Sequence, residues 1–231
     1  MARHSRVHDA RTVILDEIRA GSFAPGQRLP AEERLAELAG SSRLTVREAV
    51  RGLAAENVLV TRQGSGTYVQ PISAWTSVEA VLHVQRADGR QLLAQLLAVR
   101  GFIEVGAAEL FADRVTEAEL DELDRLLERM RDADAAEDLL AMAEADLAFH
   151  QVILDGCANP FISATLEPLS RALVDARQTT STVPQIRTHA IDEHARIIAA
   201  LRTGQRSAVR RAMRQHMRQT RQDAVDHDLS L

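Results

Sequence analysis

Asp146 and His150 stand four residues apart, the spacing that stacks two side chains on one face of a helix and lets them share an ion. His194 falls on the apolar stripe of Ile191, Ile198 and Leu201, and His216 on that of Val209, Met213 and Met217, so all three histidines are expected to point inward. A single histidine on an apolar face is ordinarily a hydrogen-bonded core residue, because a neutral imidazole with a partner costs little to bury. Three of them with a carboxylate change the balance. Asp146 buried as an anion wants a cation, and a divalent metal supplies it. Three imidazoles and one carboxylate suit zinc, nickel, manganese or iron, zinc foremost, with positions left for water or a ligand oxygen. His189, five residues before His194, lies roughly 140° round the helix and should face elsewhere. Arg100 is a second oddity, set among Leu96, Leu97, Val99, Phe102 and Ile103. It either pairs with Glu104 at i+4 or docks a ligand carboxylate beside the metal, and the two roles are compatible.

A different chemistry is written near the N-terminus. Arg43, Thr45 and Arg47 open a short amphipathic segment with Val46, Ala49, Val50 and Leu53 on its inner face. At the start of the second helix of a helix-turn-helix, such residues face base edges in the major groove, and an arginine fork matches the O6 and N7 of guanine. The same residues would equally suit a solvated surface helix. Gly64 and Gly66 mark a hairpin tip whose backbone could approach a minor groove closely, although glycines in a turn need no partner.

The elements that must position these residues follow from periodicity and breakers. Val7, Val13, Ile14 and Ile18 predict a first helix ending at Gly21. A Pro25-Gly26 turn and Pro30 precede a second, around Leu35 and Leu38, that stops at Gly40. Ser42 or Thr45 caps a third, Thr45 and Glu48 having capping-box spacing. Val58 to Arg62 and Thr67 to Val69 flank Gln63-Gly64-Ser65-Gly66 as a hairpin. The expected fold is mainly α: an N-terminal winged helix-turn-helix over 1–70, a linker with a short helix over 71–90, and a C-terminal all-helical bundle over 91–228. About six bundle helices are predicted, near 92–114, 120–130, 136–156, 160–182, 185–203 and 205–226.

Composition agrees. The 231 residues are 45% apolar and 26% charged with only 3% aromatics, which excludes disordered and collagenous chains and argues against an all-β fold. Lone Cys157 rules out an internal disulfide or a cysteine-rich zinc site. The net charge of −5 hides an asymmetry of +2 in residues 1–70 against −7 in the remainder, so the two halves differ in partner. No apolar run approaches the roughly 18–20 residues of a membrane span, and the opening residues lack a signal-peptide stretch. A cytoplasmic protein without a membrane partner is expected.

Residues 10–70 resemble the DNA-binding domain of the GntR family of bacterial transcription regulators, in Pro25-Gly26-Gln27-Arg28-Leu29-Pro30, Leu35-Ala36, Ser42-Arg43, Val46-Arg47-Glu48-Ala49 and Gly64-Ser65-Gly66-Thr67. The resemblance implies that Arg43 and Arg47 contact the operator and that Gly64 enters the minor groove. One departure stands out: the family's Ser-Glu-Arg-x-Leu-Ala appears as Ala31-Glu32-Glu33-Arg34-Leu35-Ala36, so Arg34 is displaced by one position and reaches a different phosphate. Residues 90–225, through Arg100 with Glu104, Asp146-x-x-Phe149-His150, Asn159-Pro160, Glu193-His194 and His216, resemble the FCD effector domain of the FadR subfamily. In its metal-binding branch an Asp and three His hold a divalent ion and an organic acid binds the ion and an arginine, which implies those roles for Asp146, His150, His194, His216 and Arg100.

The function expected is a ligand-responsive repressor that binds a palindromic operator in double-stranded DNA as a homodimer and releases it when a small organic acid binds. Two alternatives remain: a purely structural metal in the same DNA-binding protein, and a metal-dependent enzyme. The enzyme is disfavoured because no general base stands beside the ligands.

Overall fold

The computed structural model describes residues 2–231, with side chains described from Arg6 onward. The chain divides into two compact units, one ending at Ala87 and the other running from Asp88 to Leu231.

In the first unit, α1 (Ala2–Arg19), α2 (Glu32–Leu38) and α3 (Arg43–Ala55) precede a hairpin of β1 (Leu59–Arg62) and β2 (Gly66–Val69). The strands pair antiparallel with Leu59 opposite Val69 and Arg62 opposite Gly66. Ile14, Val46, Leu53, Val58 and Leu59 fill the core, each at most 1% exposed. Gly21 and Gly40, both at positive φ, end α1 and α2 as left-handed caps. Residues 27–29 add a short third rung that the sequence did not announce: Arg28 bridges Tyr68, and Leu29 N donates to Thr67 O at 2.8 Å. Gly66 is favoured there by its φ of 109°, a backbone conformation that L side chains rarely adopt, and a Cβ would also push the Arg28 guanidinium aside.

The stretch read as a linker is largely part of this unit. A 3₁₀ turn (Ile72–Ala74) is followed by α4 (Val78–Gln85), which Ser77 caps, and Trp75 and Ala80 are buried in the same core as Ile14. The Trp75 indole donates to Gln70 O at 3.0 Å, and Arg11 grips Glu56 through two 2.9 Å hydrogen bonds. Periodicity is weak here because α4 is only eight residues long and shows one fully buried position.

The second unit is all helix: α5 (Gly89–Phe111), α6 (Glu117–Ala135), α7 (Leu139–Gly156), α8 (Pro160–Leu166), α9 (Ser170–Ser181), α10 (Pro184–Arg202) and α11 (Arg206–Asp226). The starts are written in the sequence. Thr116 and Glu119 close a capping box, Asp138 and Asn159 cap α7 and α8, and Pro160 and Pro184 take first-turn positions. The single helix predicted over 160–182 is instead two, separated by a 3₁₀ turn at Glu167–Leu169. Pro168 is the cause, because it cannot donate to the preceding turn and its ring crowds the carbonyl four residues back. α5 packs on α11 and α7, α6 on α7 and α10, and α9 on α7. Phe111, Leu123, Phe149, Ile197 and Met213 fill the space between them at 0% exposure. α5 is long and apolar enough by composition to cross a membrane, at 23 residues and mean hydropathy 1.2, but the face it buries in the bundle carries Arg100 and Glu104.

Candidate metal centre

Five helices converge on one buried cluster. α5 brings Arg100 and Glu104, α7 brings Asp146 and His150, and α9, α10 and α11 bring Arg177, His194 and His216, all buried. Each pair on α5 and α7 is spaced i, i+4, so both members project the same way.

The hydrogen bonds around the imidazoles fix how they are used. His194 Nδ1 lies 2.5 Å from Ala190 O, a carbonyl that only accepts, so Nδ1 carries the hydrogen and Nε2 is left with its lone pair. His150 Nδ1 pairs with Glu104 Oε2, which fixes the same tautomer. The two Nε2 atoms then face each other 3.1 Å apart, and His216 Nε2, also buried, has no hydrogen-bond partner. One ring nitrogen from each histidine falls within 4.8 Å of the others. Converging lone pairs backed by a carboxylate and a backbone carbonyl are the arrangement of a metal-ligating histidine set and its supports. A cavity of about 20 Å³ borders Asp146 and His216, the size of one water or ion. The donor set fits a divalent cation.

Asp146 divides its attention. Its Oδ1 lies 3.3 Å from His194 Nε2 and 3.9 Å from His150 Nε2, while Oδ2 is ion-paired with Arg177 Nη1. Arg100 makes the expected i+4 pair with Glu104 and also reaches the imidazole cluster. Its Nε donates to Glu104 Oε1 at 2.5 Å, and its Nη2 donates to the His150 Nε2 lone pair at 2.7 Å, a bond that an ion held by His150 would displace. His189, as expected, is outside the cluster and pairs with Asp223 at 3.0 Å.

Electrostatics follow from burial. Desolvation pushes the pKa of all three histidines below 6.5, well below it for His194 and His216, whose imidazole neighbours add to the effect; at His150 Glu104 opposes the shift. The rings are therefore neutral over the physiological range. Burial alone would raise the Glu104 pKa, but Arg100 and His150, with Arg177 behind them, outweigh it and hold the carboxyl ionised well below the usual carboxylate range. Burial, then the charge of Arg100, lowers Arg177 well below its usual value.

The first unit displays the other predicted residues. Ser42 caps α3 and accepts from Thr45 N at 3.1 Å. Thr45 itself turns inward, 8% exposed, with its hydroxyl 2.8 Å from that of Ser42, so it completes the cap instead of facing a base. Arg43 and Arg47 project from the exposed side of α3 and are met by acids of α2: Arg43 by Glu33 at 2.8 Å, Arg47 by Glu32 through contacts of 2.7–3.1 Å. Arg34 pairs with Glu37 on α2 at 2.8 Å. Gly64 sits at the wing tip with φ 70° and open space about it.

Two family models match this chain: the gntR family of bacterial regulatory proteins over residues 8–69 and the FCD domain over residues 95–219. The chain belongs to the GntR family and carries an FCD domain. This GntR-family chain is 29% identical over 205 residues to the HTH-type transcriptional regulator LutR of Bacillus subtilis, covering 87% of the chain and 92% of LutR. It is also 29% identical over 161 residues to the galactonate operon transcriptional repressor of Escherichia coli, covering 67% and 69% of the two. Among solved structures it is similar to a Streptococcus agalactiae GntR protein at TM-score 0.52 and 29% identity, covering 94% of this chain and 99% of that one.

Sequence reasoning missed Arg177 in the GntR-family chain's FCD domain. The signal was present: Leu173, Ala176 and Thr180 surround it at helical spacing on the buried face of α9. A charged residue on an apolar stripe had been recognised at Arg100, and the same test applied to α9 finds Arg177.

Proposed function

We propose that this transcription regulator of the GntR type is a repressor whose FCD domain holds a divalent metal, zinc foremost, through Asp146, His150, His194 and His216, and that a small organic acid bound there releases operator DNA. The observation that carries this reading is the convergence of three neutral imidazoles, one with an unpartnered Nε2, with the Asp146 carboxylate 3.3 Å from one of them.

Charge balance supports an acidic ligand. Arg100 and Arg177 offset Glu104 and Asp146, and the imidazoles are neutral. A bound divalent ion supplies a positive docking point, and an organic acid is the ligand that offsets it. Arg100 holds Glu104 and through it the tautomer of His150, and it borders, with Arg177, the small cavity where a ligand carboxylate would meet the ion.

In the first unit, Arg43 and Arg47 are the base and phosphate readers, with Gly64 at the minor groove and Arg34 on a flanking phosphate. Glu32 and Glu33 must yield those arginines when DNA binds, and the charge-assisted pairs are exposed enough for that exchange to be easy. Pairing of two copies is supported by an apolar face of α5 and α8, where Phe102 is 84% and Phe161 79% exposed beside Ile103 and Leu110. Repression is supported by the galactonate relative, which is named a transcriptional repressor.

The test is selection of a binding site from random duplex DNA by the full-length protein, followed by titration with organic acids. A palindrome bound by wild type, lost in Arg43→Ala and Arg47→Ala, and released by an acid is the expected result. Tighter binding on addition of acid would reverse the sign, and failure to select any sequence would remove the operator reading.

A further inference from the structure

A second, larger cavity adjoins the histidine cluster. It has a volume of about 370 Å³ and lies among α7, α8, α9 and Glu104 of α5. Its inner end is polar and buried, formed by Glu104, His150 and Arg177. Its outer end is exposed, at Gln151, Glu167 and Ser170. The rest of the wall, apart from Ser163, is aliphatic: Leu147, Leu154, Leu166, Leu173 and Val174.

The inner end has unused capacity for an anion. Arg177 is 6% exposed, and its Nε has no hydrogen-bond partner although its Nη1 is committed to Asp146. Its Nη2 lies 3.8 Å from Glu104 Oε1, but that carboxylate is already held by Arg100 Nε at 2.5 Å and by His150, so the Arg177 Nε–H is the group left for a ligand. A buried guanidinium with a free N–H at the end of an aliphatic channel matches a carboxylate on a hydrocarbon tail. A polyhydroxylated acid fits badly, because its hydroxyls would be buried against leucine and valine without partners.

We propose that the acid recognised by this domain is an aliphatic monocarboxylate. Its carboxylate is anchored by Arg177 and its chain lies along Leu147, Leu154 and Leu173. Arg177 then links the two compartments, since it holds Asp146 on one side and the ligand on the other. This assignment rests on the reading of the domain as an organic-acid sensor and narrows it to one class.

Isothermal titration of the full-length protein, as purified and with its metal content measured, tests it with acetate, butanoate, hexanoate and octanoate against lactate and gluconate. Affinity is expected to rise about fourfold per added methylene until the channel is filled, with hexanoate tighter than either hydroxy acid. Leu147→Gln and Ser163→Phe, both at half-buried lining positions, should flatten that dependence while leaving metal content unchanged. Lactate or gluconate binding more tightly than hexanoate would overturn the aliphatic assignment and leave the acid sensor standing. Hexanoate binding untouched by both variants would place the chain elsewhere and likewise overturn it. No binding by any of the six acids would remove the assignment and the sensor together.

Discussion

At the level of single residues, the cluster is a closed set of dependencies. Glu104 accepts from Arg100 and is paired with His150, so Glu104→Gln strands a buried guanidinium and weakens the hold on the His150 tautomer. Removing one partner of a buried pair costs about 3–5 kcal/mol, and a thermal midpoint several degrees lower is expected for the second unit. An unchanged midpoint would mean that Arg100 finds another anion. The histidines make the fold sensitive to acid. Their folded pKa values lie below 6.5, so unfolding takes up protons once the pH drops beneath that value. Stability is therefore fully present above pH 6.5 and declines as the pH falls, by about 1.4 kcal/mol per unit for each proton gained. Thermal melts of chelator-treated protein between pH 8 and pH 5 should be flat at first and then fall, and His216→Gln should fall less steeply. A midpoint that rises on acidification would contradict the neutral-imidazole assignment.

Helices and turns show which signals the sequence carries plainly. Caps and breakers placed α6, α7 and α10 because Thr116-x-x-Glu119, Asp138 and Pro184 act through local backbone groups. The third rung at Arg28 was not legible, since pairing with Tyr68 depends on a fold-back forty residues along the chain and leaves no local pattern. The inward turn of Thr45 was equally hidden: Ser42 and Thr45 both have cap chemistry, and the choice of Ser42 at the cap draws Thr45 beneath it. Two predictions belong here. Ser42→Ala should destabilise the first unit by about 1 kcal/mol, the usual value of an N-cap, read as the midpoint of a urea melt followed by Trp75 fluorescence. Glu32→Gln with Glu33→Gln frees Arg47 and Arg43, so binding to random-sequence duplex should tighten several-fold at low salt, measured by fluorescence anisotropy. Weaker binding would show that these acids orient the arginines for DNA.

For the molecule as a whole, the division of labour was visible in the charge asymmetry and the change from a hairpin-bearing head to an all-helical body. The candidate site was legible because its ligands lie on apolar stripes, where a histidine or an acid stands out against leucine and isoleucine. What spacing could not show was the balance around those ligands: Arg177 holding Asp146 and Glu104 holding His150 are contacts between helices far apart in sequence. The central claim is that Asp146, His150, His194 and His216 hold a divalent ion. The most direct measurement is elemental analysis of purified full-length protein by mass spectrometry, with His194→Ala purified in parallel and circular dichroism confirming its helices. About one transition-metal ion per chain in the wild type and less than a tenth of that in the folded variant is the predicted result. A folded variant that retains the wild-type metal, or a wild type that takes up no zinc, nickel, manganese or iron even when dialysed against each, would contradict it.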